Sequence, residues 1–326
     1  MPRVEGARGD QRVAEVTGPA GKGMPGYIDE AGVRAALEWD PLIDVMEAAL
    51  RAFSSGKVLQ PVRSVLTIEE GGRYLGVMPA VAEEAMGVKL VSFYPANAGK
   101  GLATHHAMIV LMRPETGEPM AAMDGTLITE MRTAAVSAAV TRRTARPDSR
   151  ILAILGSGVQ ARAHLDALRR VRDFDQVRVW SRTPERAQRF AFEHGAIAAD
   201  DVRAAVEGAD VIVTATNAQE PVLRGEWVKP GAHVNAVGAN RPNWRELDDE
   251  LMTSSALIVD SREAALMESG DVILSGASIY AEAGELFSGA KAAPPAGRTT
   301  VFKSLGLAAE DIATARLVYE SLARRA

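Results

Sequence analysis

Residues 151–161 read Ile151-Leu152-Ala153-Ile154-Leu155 and then, without a break, Gly156-Ser157-Gly158-Val159-Gln160-Ala161. A short, wholly apolar run suits a strand buried on both faces of a parallel sheet. The glycine turn that follows opens a helical stretch reaching Val171. Strand, glycine turn and helix in that order form the dinucleotide-binding fingerprint, each position with its own physical demand. Gly156 permits the tight turn, Gly158 lets a pyrophosphate approach the backbone, and Ala161 is small enough for close helix–strand packing. The free N–H groups and partial positive charge of the helix N-terminus then face the phosphates. Isolated, a GxGxxA string is weak. Its context is what carries the reading over a glycine turn that binds nothing.

The surrounding chain repeats the same rhythm. Strands are expected at Gln176–Ser181, Asp210–Thr214, His233–Val237 and Leu257–Asp260, separated by helical stretches. Such alternation implies a parallel sheet with helices on both faces. The second strand of the unit ends at Trp180-Ser181-Arg182-Thr183. NAD-binding folds commonly place a carboxylate there to accept from the adenosine ribose. Ser181 removes that carboxylate and Arg182 adds a guanidinium, which is what a ribose 2′-phosphate requires. The expected cofactor is therefore NADPH, bound by Gly156, Ser157, Gly158, Val159, Gln160, Ser181, Arg182 and Thr183. The alternative for Arg182 is a solvated surface charge.

Ahead of this region the pattern is different. Asp40-Pro41 looks like a helix start, with an acidic N-cap and proline at the first helical position. Leu42, Ile43, Met46, Leu50 and Phe53 then recur at helical spacing up to Gly56. Val62–Ile68, Tyr74–Met78, Val88–Tyr94 and Met108–Met112 are short β-rich runs divided by turns such as Glu70-Gly71-Gly72 and Pro114–Gly117, so an antiparallel sheet is expected. Leu127–Thr144 reads as a helix rich in small residues, and Ala308–Arg325 as a final amphipathic helix that packs back on the first region. Met1–Gly26, rich in glycine, proline and charge, reads as a flexible leader without the apolar segment of a signal peptide.

Composition narrows the partners. The formal net charge of −5 leaves no basic footprint for nucleic acid. No run approaches the length of a membrane helix. The absence of cysteine removes disulfides, thiolate metal sites and a cysteine nucleophile at once, and fits a cytoplasmic location. His105-His106 has no third ligand at metal-binding spacing and reads as a strand-edge pair. The run Glu246, Asp248, Asp249, Glu250 reads as the acidic first turn of a helix.

Three cations stand out on the sheet-rich side: Arg63, Lys89 within the apolar run Gly87–Tyr94, and Arg132 among small residues in the exit helix. Singly, each suits a snorkelling or salt-bridged side chain as well as a functional one. Spacing alone does not bring them together.

Several longer stretches carry a resemblance. Gln60–Arg63, Tyr74–Ala80, Lys89–Tyr94, Arg132–Ala138, Leu155–Ala161, Gly225–His233, Asn235–Met252, Glu268–Val272 and Thr300–Gly306 closely resemble the ornithine cyclodeaminase/mu-crystallin family, over nearly everything beyond the leader. The resemblance implies a homodimer of two-domain chains. Residues 27–126 and 304–326 would form an α+β substrate and dimerisation domain with the antiparallel sheet. Residues 127–303 would form the Rossmann-type domain of an α/β fold. It also implies an NADPH-dependent reductase of small carboxylated ketimines, with Arg63 and Arg132 on the substrate carboxylate and Lys89 beside them. Departures from the cyclodeaminases point the same way. Gly76 replaces an acidic residue, Asn240 an essential aspartate, and Ser181 the NAD-type aspartate. An amide does not exchange a proton as a carboxylate does, which argues against deaminating cyclisation.

A mechanism follows as an expectation. Arg63 and Arg132 hold the acid group, and Lys89, its charged form disfavoured by two guanidiniums, donates a proton or only binds the carboxylate. Asn240 orients substrate or nicotinamide, and Thr133 is a further contact. An alanine-dehydrogenase-like amination, a cyclodeaminase-type lyase and a nucleotide-dependent thyroid-hormone-binding protein are the competing readings.

Overall fold

A computed structural model describes residues 26–69 and 72–325. The expected leader lies, apart from Gly26, outside the described residues, as do Glu70 and Gly71 of the expected turn. The strands form two sheets. The first comprises β1 (Tyr27–Ile28), β2 (Ser64–Glu69), β3 (Arg73–Val81), β4 (Met86–Phe93), β5 (His105–Met112) and β6 (Pro119–Asp124), in the order β1-β6-β5-β4-β3-β2. Its pairings are antiparallel except β1 with β6, which run parallel. Strands β1 and β6 escaped the sequence reading because Tyr27–Ile28 is too short to show a period and Pro119 opens a run of small residues. α1 (Glu30–Ala36) and α2 (Trp39–Ser54) lie between β1 and β2. α2 starts ahead of the expected Asp40 cap, so Asp40 sits in the first turn, where it pairs with Arg170. The periodic residues Leu42, Ile43, Met46 and Leu50 are buried as expected.

α3 (Thr126–Thr144) leads to the second sheet, in which every pairing is parallel. Its strands are β7 (Ile151–Leu155), β8 (Gln176–Trp180), β9 (Ile197–Ala198), β10 (Val211–Thr214), β11 (His233–Ala236), β12 (Ala256–Val259), β13 (Ile279–Glu282) and β14 (Thr300–Lys303). They follow the order β13-β12-β14-β11-β10-β7-β8-β9. From β7 the chain winds one way to β9 and then returns to β10 on the other side. A ligand crevice forms at such a switch, outside the carboxyl ends of the strands. Because all strands run the same way, the segments after β7, β8, β10, β11, β12 and β14 emerge at one edge. α4 (Val159–Leu168) follows β7, α5 (Pro184–His194) follows β8, and α6 (Val202–Val206) through α10 (Ala283–Ser288) are short helices further along, α9 being Gly270–Ser275.

The last helix, α11 (Ala308–Ala323), packs against α1, α2, α3 and strands β3 to β5, as its pattern led us to expect. Gln60 Oε1 accepts from the Ala309 N–H in its first turn, tying the segment before β2 to the last helix. Two fully buried histidines tie α3 to its neighbours. His164 of α4 reaches Ser137 Oγ at 2.9 Å, and His233 reaches Thr144 and Thr300. Burial lowers both pKa values to about 4, so they are neutral at physiological pH.

Glu246 departs from the sequence reading. It belongs to no helix turn: the helix is Asp249–Ser254, with Asp248 as its cap. Instead Glu246 is wholly buried and accepts from Thr214 Oγ1, Thr216 N, Thr216 Oγ1 and Gly238 N at 2.7–2.8 Å. Beside it, Lys303 Nζ lies 3.0 Å from Asp271 Oδ2 and donates to Gly238 O, while Asp271 Oδ1 accepts from Glu246 N and Leu247 N. A buried charge is tolerated only with such full pairing. The outcome is a fixed path for the segment after β11, which carries Asn240.

Candidate active site

The glycine turn has the shape its sequence requires. Gly156 has φ +121, a region closed to side chains, and a Cβ there would stand 2.4 Å from Ala215 O. Its N–H donates to Trp180 O, locking the turn onto β8. Around Gly158, by contrast, nothing lies within 4 Å of where a Cβ would be. Gly158 is the N-cap of α4 and offers no side chain to the helix's free N–H groups. Open space in front of uncapped amides is a site for a phosphate. Val159 is exposed, Ala161 is buried beneath, and the Gln160 carbonyl accepts from His164. Ser157 Oγ donates to Ser181 Oγ at 3.0 Å, so the turn and the end of β8 face each other. Arg182 and Thr183 are exposed beyond them. The residues present therefore fit a dinucleotide, with a hydroxyl and a guanidinium where a carboxylate would exclude a 2′-phosphate.

Arg63, Lys89 and Arg132 converge from three distant parts of the chain. Lys89 sits at an inward position of β4 and is 2% exposed. Its Nζ stands 2.5 Å from Asp311 Oδ2 in the first turn of α11. The other oxygen of Asp311 accepts from Arg132 Nε at 2.9 Å, and Arg132 Nη1 donates to Glu310 Oε2 at 2.9 Å. Arg63 Nη2 donates to Leu305 O and Gly306 O, and its Nε lies 3.1 Å from Glu268 Oε1. Arg132 packs on the same Gly306. Asp260 Oδ2 accepts from the N–H groups of Leu305 and Gly306, fixing that turn just after β14. Arg63 Nη1 and Arg132 Nη2 take part in no hydrogen bond among the described residues. They remain able to grip an anion.

The sequence reading proposed the cations and missed their counter-ions. Glu310 and Asp311 both have no exposed surface, yet in the sequence they look like the wet first turn of an amphipathic helix. The signal was present: an acid pair beside Ala308, Ala309 and Ile312, on a helix needing partners for two cations in apolar runs. Burial lowers the Lys89 pKa to about 8, with Arg132 and Arg63 adding to the fall and Asp311 opposing it. That places a proton donor close to neutral pH.

The segment after β11 closes the other side. Asn240 is exposed there, next to Ala239 at φ +42. Arg241 lies over the Tyr74 ring at 3.8 Å from its centroid, with Phe93 and Trp244 at 5.9 and 5.8 Å. This contact joins the two sheets across the crevice. His105, at the start of β5, tilts against Phe93. Thr133 is less available than expected: its hydroxyl donates to Thr129 O within α3. Among the described residues no group of acids and histidines is arranged to hold a metal.

Fold and site together define a dinucleotide-binding protein whose nucleotide crevice adjoins a buried cluster of cations and their counter-ions. The model of the ornithine cyclodeaminase/mu-crystallin family matches residues 29–325, and the chain belongs to that family. It is 53% identical to ketimine reductase mu-crystallin of Mus musculus over 92% of this chain and 98% of that one. Among solved structures, Delta(1)-pyrroline-2-carboxylate reductase of Thermococcus litoralis, in complex with NADH and L-proline, superposes with a TM-score of 0.87 at 38% identity. That match covers 92% of this chain and 98% of the other. An archaeal alanine dehydrogenase dimer with bound NAD gives 0.86 at 32% identity, over 92% and 97%.

Gly306 tests the geometry directly. Its φ is +81, and a Cβ would fall 2.4 Å from Arg132 Nη1 and 2.9 Å from Arg132 Cζ. Gly306→Ala is expected to displace the guanidinium and cut kcat/KM for the anionic substrate at least about tenfold, equivalent to about 1.4 kcal/mol, while nucleotide affinity stays unchanged. Equal activity of the variant would refute the packing of Arg132 on this turn.

Proposed function

We propose that the chain reduces the C=N bond of small carboxylated ketimines, cyclic ones such as pyrroline- or piperideine-2-carboxylate above all, using NADPH. The observation that carries this reading is the convergence of Arg63, Lys89 and Arg132 beside the crevice. The reduced nicotinamide supplies hydride when bound. The chain's own residues do the rest. Arg63 and Arg132, each with a donor to spare, hold the carboxylate and so orient the adjacent double bond. Lys89 delivers a proton to the imine nitrogen. Asn240 borders the pocket on the nucleotide side, and Arg241, locked on Tyr74, closes its mouth. In this assignment residues 27–126 and 304–326 form the substrate domain and 127–303 the nucleotide domain. Thr133 contributes through α3. The similarity to a pyrroline-2-carboxylate reductase and a ketimine reductase supports the substrate class. The archaeal alanine dehydrogenase keeps open-chain imines of a 2-oxo acid in view as a second substrate type.

The cofactor preference rests on Ser181 and Arg182. A charge-assisted contact to a 2′-phosphate is worth about 1.5–3 kcal/mol. Arg182→Ala should therefore raise KM for NADPH about 10- to 100-fold and leave that for NADH nearly constant. An equal effect on both would place Arg182 outside the cofactor site.

The activity itself is checked by NADPH absorbance loss against a panel of cyclic and acyclic imines. Turnover is expected to fall as pH rises through about 8, where Lys89 loses its proton. Arg63→Ala should raise KM for the imine by about 100-fold, on the order of 2.7 kcal/mol. No turnover of any carboxylated imine would reject the assignment.

The chain is also proposed to act as a homodimer in the cytoplasm. Among the described residues no helix is long and apolar enough to cross a membrane. By register, Leu66, Ile68, Leu90 and Met108 share the outer face of the first sheet, and each is 38–57% exposed. An apolar sheet face of this kind suits a second copy. Sedimentation should give twice 34.6 kDa, and Leu90→Glu should shift the protein toward monomer. A wild-type monomer at micromolar concentration would remove the dimer from the proposal.

A further inference from the structure

The pocket holds more acids than a carboxylate receptor needs. Arg63, Lys89, Arg132 and Arg241 provide positive charge, and Asp260, Glu268, Glu310 and Asp311 stand among them. With every acid ionised the group is neutral. A substrate carboxylate then brings an uncompensated negative charge into a dry site, which is costly.

The geometry separates the acids by how well each is held. Asp311 shares its two oxygens between Lys89 and Arg132. Asp260 accepts from three backbone N–H groups. Glu268 pairs with Arg63 and is partly exposed. Glu310 is different. Its side chain is wholly buried, Oε2 has one partner in Arg132 Nη1, and Oε1 has none among the described residues. A buried carboxylate oxygen without a donor is the costliest of these to keep ionised.

We infer that Glu310 takes up a proton when an anionic substrate enters, so that the substrate carboxylate replaces Glu310 as the counter-ion of Arg132. The inference rests on the carboxylate clamp proposed above. The exchange balances: one proton moves from solvent to a Glu310 oxygen, one negative charge arrives with the substrate, and no other bond changes. Glu310 is then a positioning residue that acts through Arg132.

Charged groups face it from four parts of the fold. They are Arg132 from α3, Asp311 from α11 itself, Asp260 from the turn after β12, and Lys89 of β4 behind Asp311. Burial raises the Glu310 pKa to about 7, Arg132 opposes the rise, and Asp260 and Asp311 add to it. A carboxylate taking over Arg132 weakens the strongest influence holding the pKa down and adds repulsion, so the pKa climbs further on binding. Lys89 gains a proton under the same influence, but from a pKa of about 8, so its share dominates only at more alkaline pH.

The test adds pyrrole-2-carboxylate, a planar anion with no C=N bond to reduce, to the full-length protein saturated with NADPH. Calorimetric titration in two buffers of different ionisation enthalpy counts protons. At pH 7.5 the wild type should take up more than about half a proton per site, and Glu310→Gln should lose at least about half a proton of that uptake. Undiminished uptake in the variant, or binding without uptake in the wild type, overturns the inference.

Infrared difference spectra of the free wild-type protein give an independent reading. A protonated-carboxyl band that titrates near neutral pH and vanishes in Glu310→Gln supports it, and absence of such a band overturns it even if the variant folds poorly. Failure of the anion to bind at all rejects the clamp instead, and the infrared result still decides whether Glu310 holds a titrating proton.

Discussion

Everything around the crevice depends on one buried ionic chain: Lys89 to Asp311, Asp311 to Arg132, Arg132 to Glu310. It joins β4 of the first sheet, the helix that leads to the second, and the first turn of the last helix. Removing water from these charges is expensive, and only mutual pairing offsets it. Such a network contributes little net stability compared with apolar packing. What it does is fix where Lys89 and Arg132 stand and how much of the Arg132 guanidinium is free, while Leu305 O, Gly306 O and Glu268 hold Arg63 beside them. The same pairing that makes burial possible leaves one edge of Arg132 unsatisfied, and the contacts of Arg63 leave one edge of that guanidinium unsatisfied too.

A second buried charge group performs the equivalent task on the other wall. Lys303, Asp271 and Glu246 pin Gly238 and the segment after β11, and through it Asn240 and Arg241. The two groups do not share residues, but both meet β14: Lys303 ends that strand, and Leu305 and Gly306 begin the turn on which Arg63 and Arg132 rest. A displacement of β14 would therefore disturb both walls together.

Much of this was legible in the sequence because local chemistry dictated it. Ile151–Leu155 and its glycine turn have the bounds read from the residues alone, since apolar continuity and glycine placement are local signals. The period of α2 predicted its buried face for the same reason. Strands β9, β13 and β14 were not legible. Thr300–Lys303 ends on a charged residue, and only the distant Asp271 and Gly238 carbonyl make a buried lysine acceptable there. Glu246 was misread because an acid beside Asp248 and Asp249 matches a helix start, and its four donors come from β10 and from residues near 216 and 238. Glu310 and Asp311 failed for a related reason. A charge in a first turn looks solvated until the partner that buries it, here more than 170 positions away, is placed against it. Long-range ion pairs leave no period.

The distribution of proton-bearing groups bears on the choice between reduction and deamination. On the nucleotide wall the segment after β11 carries the exposed Asn240, whose amide neither gives nor takes a proton near neutral pH. The groups able to do so, Lys89 and Glu310, lie on the opposite wall and are coupled through Arg132 and Asp311. A deaminating cyclisation needs proton exchange at more than one point along its course, on both the departing and the attacking nitrogen. Reduction of an imine needs one proton, delivered to one nitrogen. A single cluster of titrating groups, anchored where the substrate's acid group is gripped, matches the second demand and leaves the first unmet.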